Sequence, residues 1–191
     1  MRSASHTTFG EPADVLALEE SPVPEPGPGQ VRIKTILSPI HNHDLWTVRG
    51  SYGYKPELPA IGGSEAVGTV DALGEGVTGI DIGQRVSVAS VHGSWAEYFL
   101  APAAGLAPVP DSISDEAAAQ LIAMPFSAIT LLDFLEVASG DWVIQNTANG
   151  AVGKTLAVLA AARGVHIVNL VRRDAGVEEL AALGIANAVS T

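Results

Sequence analysis

The stretch DWVIQNTANGAVGKTLAVLAAARGVHIVNLVRR, Asp141 to Arg173, decides how the chain around it is read. A short apolar run at Val143 and Ile144 leads into a turn of small residues, Ala148, Asn149 and Gly150. An apolar run closed by Gly164 follows, and Val165 to Val171 is β-rich. That succession predicts strand, tight turn, helix and strand, a βαβ unit. Val152, Leu156 and Leu159 fall at i, i+4 and i+7, so the helix has one apolar stripe to lay on a sheet.

The turn from Ala148 to Gly153 departs by one residue from G-x-G-x-x-G, with Ala148 at the first glycine position. In a nucleotide-binding turn, Gly150 would let the backbone approach a pyrophosphate and Gly153 would let the helix pack close to the strand. The helix N-terminus would supply unpaired N–H groups and a partial positive charge. The expected cofactor contacts are therefore Asn146, Asn149, Gly150, Ala151, Val152 and Gly153. Small residues at such a turn also serve close packing alone, and Gly153-Lys154-Thr155 ends like a P-loop whose earlier glycine is replaced by Ala148. The loop by itself leaves these readings open.

The end of the second strand bears on which nucleotide is bound. Dinucleotide folds that prefer NAD place Asp or Glu about 20 residues beyond the turn, on the ribose 2′-hydroxyl. Here Arg172 and Arg173 stand there, with Asp174 next. A guanidinium pair suits a 2′-phosphate, so NADPH is the expected cofactor. The competing reading is a solvated strand end.

Composition excludes several classes. The chain is 47% hydrophobic with no cysteine and a mean hydropathy of +0.28, ample for one or two cores and free of disulfides and cysteine metal sites. No apolar run has the length of a membrane span, and Met1 to His6 lacks the apolar core of a secretory signal, so a soluble cytoplasmic protein is expected. A net charge of -11 opposes binding to nucleic acid and acidic membranes. An anionic small-molecule ligand must then be met by local positive groups and helix N-termini.

The residues before the βαβ unit read as all-β. Thr7-Thr8-Phe9 and Val15 to Leu18 look like short strands, and Pro22 to Gly29 is a stiff connector. Gln30 to Leu37 alternates polar and apolar residues, as a half-buried strand does. Ser38 to Pro59 is irregular and holds His41, His43, Trp46, Tyr52 and Tyr54, making it the expected binding surface outside the glycine turn. Ala66 to Leu73, Gln84 to Ser90 and Ser94 to Leu100 are further strands. From Ser114, a helix cap followed by Asp115 and Glu116, the composition becomes alanine-rich and helical. A domain boundary is placed near residue 113, giving a β domain over 1–113 and the nucleotide-binding part over 114–191.

Gly63-Ser64-Glu65-Ala66, Gly83-Gln84-Arg85-Val86 and Gly93 to Tyr98, followed by the A-x-G-x-x-G turn, resemble in that order the medium-chain dehydrogenase/reductases. The resemblance implies a fold of class α/β plus β: a GroES-like β domain, then the first part of a Rossmann-type doubly wound parallel sheet. In the zinc-dependent members, a cysteine ligand stands where His41 does and a ligand histidine where Ser64 does. Catalytic zinc needs three protein ligands, and His41 and His43, at i and i+2 on an extended loop, would point apart. No metal is expected.

Arg49 to Gly53, Pro56 to Gly63, Val143 to Asn146 and Val171 to Arg173 resemble the zinc-independent 2-enoyl thioester reductases of mitochondrial type, with quinone oxidoreductases next. The resemblance implies an NADPH-dependent oxidoreductase, a homodimer when full length, with the tyrosine at Tyr52 as proton donor. A phenol, whose reference pKa is about 10, is protonated at neutral pH and can donate. Tyr54 is the competing tyrosine. The chain departs from the pattern at Met124, where an asparagine is expected, and at Ile129, where a tyrosine is, while Ser127 keeps a hydroxyl. The sequence supplies strands for less than a complete doubly wound sheet, so a truncated chain is expected, and a catalytically silent nucleotide-binding module is the alternative from another class.

Overall fold

The computed structural model describes residues 1–191 and divides them into two compact units, Met1–Ile122 and Ala123–Thr191.

In the first unit, five strands form an antiparallel sheet in the order β7-β3-β5-β6-β8. These are β3 (Gln30–Leu37), β5 (Glu65–Leu73), β6 (Arg85–Ala89), β7 (Tyr98–Pro102) and β8 (Ala107–Pro108). A second sheet pairs β2 (Ala17–Glu20), β1 (Arg2–His6) and β4 (Ala60–Ile61). Val31 and Ile33 of β3 enter a core with Ala66, Val70, Val86, Val88, Phe99 and Ala101. The expected alternation of β3 holds there and fails at its end. Register shifts between Arg32 and Ile33 and between Thr35 and Leu37 re-aim the strand, leaving Ile36 and Leu37 exposed.

The N-terminal segment differs from its expected form. The first strand is Arg2–His6, and Pro12–Val15 forms a short helix, α1, before β2. The residues Thr7-Thr8-Phe9 are not a strand, and the carbonyl of Thr8 lies 3.0 Å from His6 Nδ1. Asn42–Val48 is a helix, α2, inside the segment expected to be irregular.

The first unit continues past residue 113 because Ser114 caps the short helix α3 (Asp115–Ala118), its hydroxyl accepting from the Ala117 N–H. Ala118 and Ala119 pack with Val67 and Val109, and the Ser87 hydroxyl donates to the Ala118 carbonyl. The alanine-rich composition that suggested a boundary at 113 belongs here to a helix bound to the β core.

In the second unit, β9 (Trp142–Gln145), β10 (His166–Val171) and β11 (Ala188–Ser190) form a parallel sheet in the order β11-β10-β9. That is the 3-2-1 order of one half of a doubly wound sheet. Helices α4 (Ala123–Phe134), α5 (Ala151–Ala162) and α6 (Asp174–Ala182) alternate with the strands. Ala128 and Leu132 of α4 pack with Leu156 and Ala160 of α5 and Ile167 of β10. Ala148, Ala157, Val171, Leu180 and Ile185 form a second cluster. Strand β9 has one paired neighbour, β10, and exposes Trp142 and Ile144, 61% and 70%.

Candidate functional site

Each unit carries one concentration of functional groups. In the second unit the chain leaves β9 through Asn146, which is exposed, and Thr147, which takes a left-handed backbone, φ 53. The Gly150 N–H donates to the Thr147 carbonyl at 2.9 Å, closing a turn. The left-handed position is therefore Thr147, and Ala148 needs no glycine there. Its methyl is buried in the Leu180 and Ile185 cluster.

Gly150 is the N-cap of α5 and offers no side-chain cap. The first helical bond runs from the Lys154 N–H to the Gly150 carbonyl, so the N–H groups of Ala151, Val152 and Gly153 have no acceptor within the helix. A Cβ on Gly153 would lie 2.7–2.9 Å from backbone atoms of Ala148, so close packing of helix on turn demands glycine there. On Gly150 it would meet the Thr147 carbonyl at 3.2 Å, a milder restriction. Gln145 fixes the arrangement from the strand side, donating to the Gly153 carbonyl at 2.9 Å and to Asn169 Oδ1 at 2.6 Å.

Asn149 does not stand free: its amide donates to Glu179 Oε2 at 3.3 Å, and Lys154 forms an ion pair with the same carboxylate. Those two donors, Lys154 first, hold the Glu179 carboxyl below its ordinary value. The lysine that a P-loop would aim at phosphate is thus committed to Glu179.

The arginines divide sharply. Arg2 pairs with Glu97, Arg32 with Glu25 and Asp71, Arg49 with Glu11, Arg85 with Asp115 and Arg163 with Asp133. Arg172 and Arg173, at the end of β10, are exposed and belong to no ion pair. In an acidic chain, guanidinium groups without an acidic partner are positive charge available to an anion.

In the first unit His41 is the N-cap of α2, and Asp44, three residues on, accepts from the His41 N–H at 2.9 Å through Oδ2. The expected extended loop is thus the start of a helix, held by a carboxylate reaching back to an orphan donor. The two histidine rings do not point apart but stack, with centroids 5.1 Å apart. His41 is buried and its Nε2 meets Glu65 Oε2 at 2.6 Å. Glu65, fully buried, also accepts from the Ile122 N–H at 2.9 Å. His43 Nε2 lies 2.8 Å from Ser64 Oγ, and the Ser64 hydroxyl donates to Asp44 Oδ1 at 2.6 Å.

No set of three or more histidine and carboxylate side chains is arranged to hold a metal ion. Tyr52 stacks on His43 at 5.7 Å and Tyr54 on His92 at 4.0 Å. Trp95 is a packing residue, its indole donating to the Pro39 carbonyl and its ring lying where a side chain on Gly62 would be. In the second unit, the Ser127 hydroxyl is spent on the Ala123 carbonyl of its own helix.

Sequence reasoning passed over Asp44, Thr147 and Glu179. The spacing from His41 to Asp44 carries a first-turn reach-back signal; nothing local marks Thr147 or Glu179.

The model of the alcohol dehydrogenase GroES-like domain matches residues 27–111. The human mitochondrial enoyl-[acyl-carrier-protein] reductase is 35% identical over 182 residues, 94% of this chain and 49% of that protein. A mycobacterial protein solved in complex with NADPH superposes with a TM-score of 0.92 at 33% identity, over 100% of this chain and 58% of the other. The chain belongs to the medium-chain dehydrogenase/reductase superfamily. Within that superfamily it comprises the GroES-like β domain and part of the Rossmann-type sheet. It spans about half the length of the relatives it matches. A quinone oxidoreductase of Pseudomonas syringae has the same fold, with a TM-score of 0.92 at 28% identity over 99% of this chain and 58% of its own. No helix is long and apolar enough to cross a membrane.

Proposed function

We propose that this chain serves an NADPH-dependent, zinc-independent reductase acting on the C=C bond of 2-enoyl thioesters. The observation that carries the cofactor is the contrast among arginines. Every other arginine has an acidic partner, while Arg172 and Arg173, the pair assigned to a 2′-phosphate, have none. The uncapped N-terminus of α5 suits the pyrophosphate, with Asn146, Asn149, Gly150, Ala151, Val152 and Gly153 as its surroundings. Bound there, the dihydronicotinamide would supply a hydride to the substrate β-carbon. The electron pair left at the α-carbon needs a proton, and Tyr52 is the group we assign to give it. Tyr52 is preferred to Tyr54 because its histidine is anchored to Ser64, whereas His92 is exposed and makes no hydrogen bond.

The substrate class follows the relatives, since the 35%-identical human protein is named an enoyl-[acyl-carrier-protein] reductase. A quinone is the second reading, favoured by the name of the Pseudomonas syringae structure. A homodimer of the complete polypeptide working in the cytoplasm, without nucleic acid or membrane, completes the proposal.

NADPH oxidation by the native polypeptide is to be followed with crotonyl thioester and with benzoquinone. Thioester turnover is expected, and Tyr52→Phe should lower it by about 10²–10⁴-fold while leaving NADPH affinity unchanged. Turnover with quinone alone moves the assignment to the second reading, and turnover with neither makes this a silent nucleotide-binding module.

A further inference from the structure

The two tyrosine–histidine stacks of the β domain differ in what stands behind them. Tyr54 and His92 lie closer and more nearly parallel, 4.0 Å and 13°, yet nothing holds the His92 ring from behind. Tyr52 and His43 are 5.7 Å apart at 29°, and His43 is tied to a buried carboxylate through a serine. The Ser64 hydroxyl has one hydrogen and gives it to Asp44 Oδ1 at 2.6 Å. Toward His43 Nε2, 2.8 Å away, Ser64 can then only accept. His43 therefore carries a hydrogen on Nε2.

We propose that His43 is the positioning residue for Tyr52. The Asp44–Ser64–His43 chain holds the imidazole in one plane and one tautomer, and the ring face orients the phenol. Stacked on the phenol at 5.7 Å, the imidazole fixes the direction in which Tyr52 presents its hydroxyl. Asp44 also faces the ring directly, its Oδ1 lying 3.6 Å from His43 Nε2. The other titratable groups facing His43 are His41, stacked at 5.1 Å, and Tyr52 itself, with Glu65 behind His41. Asp44 and Ser64 act on the phenol only through His43. The proposal rests on the assignment of Tyr52 as proton donor.

Two measurements on the native polypeptide test it. In ¹⁵N-histidine NMR without substrate, the neutral His43 ring should show the Nε2–H tautomer. Ser64→Ala should abolish that preference and Ser64→Thr, which keeps the hydroxyl, should retain it. In steady-state kinetics with the enoyl thioester, His43→Phe and Ser64→Ala should each lower kcat about tenfold with little change in KM. Ser64→Thr, which keeps the hydroxyl, should restore the rate.

Tyr52→Phe combined with His43→Phe should be no slower than Tyr52→Phe alone. An Nδ1–H tautomer overturns the proposal, as does a wild-type rate in His43→Phe. If His43→Phe does not fold, the contrast between Ser64→Ala and Ser64→Thr decides in the same way. A wild-type rate for Tyr52→Phe overturns the tyrosine assignment itself. A slow Tyr52→Phe beside a fast His43→Phe overturns only the role given to His43.

Discussion

The glycine turn and the histidine cluster put the same chain to work through different materials. From Thr147 to Gly153 the functional groups are backbone amides, and the residues that expose them are neighbours in sequence. In the β domain they are side chains, and the contacts among them join residues 20, 21 and 24 positions apart. A site of the first kind is governed by shape, because its donors exist in any sequence that can adopt the turn. A site of the second kind is governed by charge and hydrogen bonding, because each member is replaceable and each is buried at some cost.

The contrast can be tested first where the loss is expected to be greatest. Glu65→Leu removes a fully buried acceptor shared by His41 and the Ile122 N–H, and should destabilise the protein by about 3–5 kcal/mol in urea unfolding. A loss below about 1 kcal/mol would mean that packing, not the buried carboxylate, holds that region. Gly153→Ala keeps every polar group and brings a methyl against the Ala148 backbone, so about 1–3 kcal/mol should be lost together with NADPH affinity. A full-affinity Gly153→Ala would remove the argument from shape.

Smaller effects sharpen the picture. Arg172→Ala with Arg173→Ala should reduce the preference for NADPH over NADH by about tenfold or more, the loss of one charge-assisted bond being worth about 1.5–3 kcal/mol. An unchanged preference returns the pair to the role of a solvated strand end. The smallest effect is expected at Glu179. Its carboxyl is held below the ordinary value, so the stability it contributes is present above the unfolded-state pKa and is lost as pH falls through the lower folded-state one. Glu179→Gln should therefore differ slightly from wild type in urea midpoint at neutral pH, and the difference should vanish once the solution is acid enough to protonate the wild-type side chain.

What the sequence revealed follows the same division. The βαβ unit, the alternation at the start of β3 and the capped helix at Ser114 are all set by local rules, and each is present. Helix α2 was hidden because it is short and its burial rests mainly on Asp44 and Val48, too few apolar positions to show a period. Arg2–His6 pairs with β2 on one side and β4 on the other, and the β4 partners lie far along the chain, so no window of sequence shows the pairing. Composition records where helix begins, near residue 113, whereas the compact unit runs on to Ile122, with Ala118 and Ala119 packed against Val67 and Val109. At the glycine turn, an alanine stands at the first glycine position of the motif; with the left-handed residue at Thr147, that alanine is an ordinary buried residue.

The unpaired arginines have one more consequence. A molecule of net charge -11 repels a polyanion from nearly every direction of approach. Simple ions shorten the reach of that repulsion to about 10 Å at 0.1 M, while contacts made at bonding distance are weakened much less. Encounter with a phosphorylated nucleotide should thus be hastened by added salt even as the finished complex loosens, a kinetic signature opposite in sign to ordinary electrostatic steering.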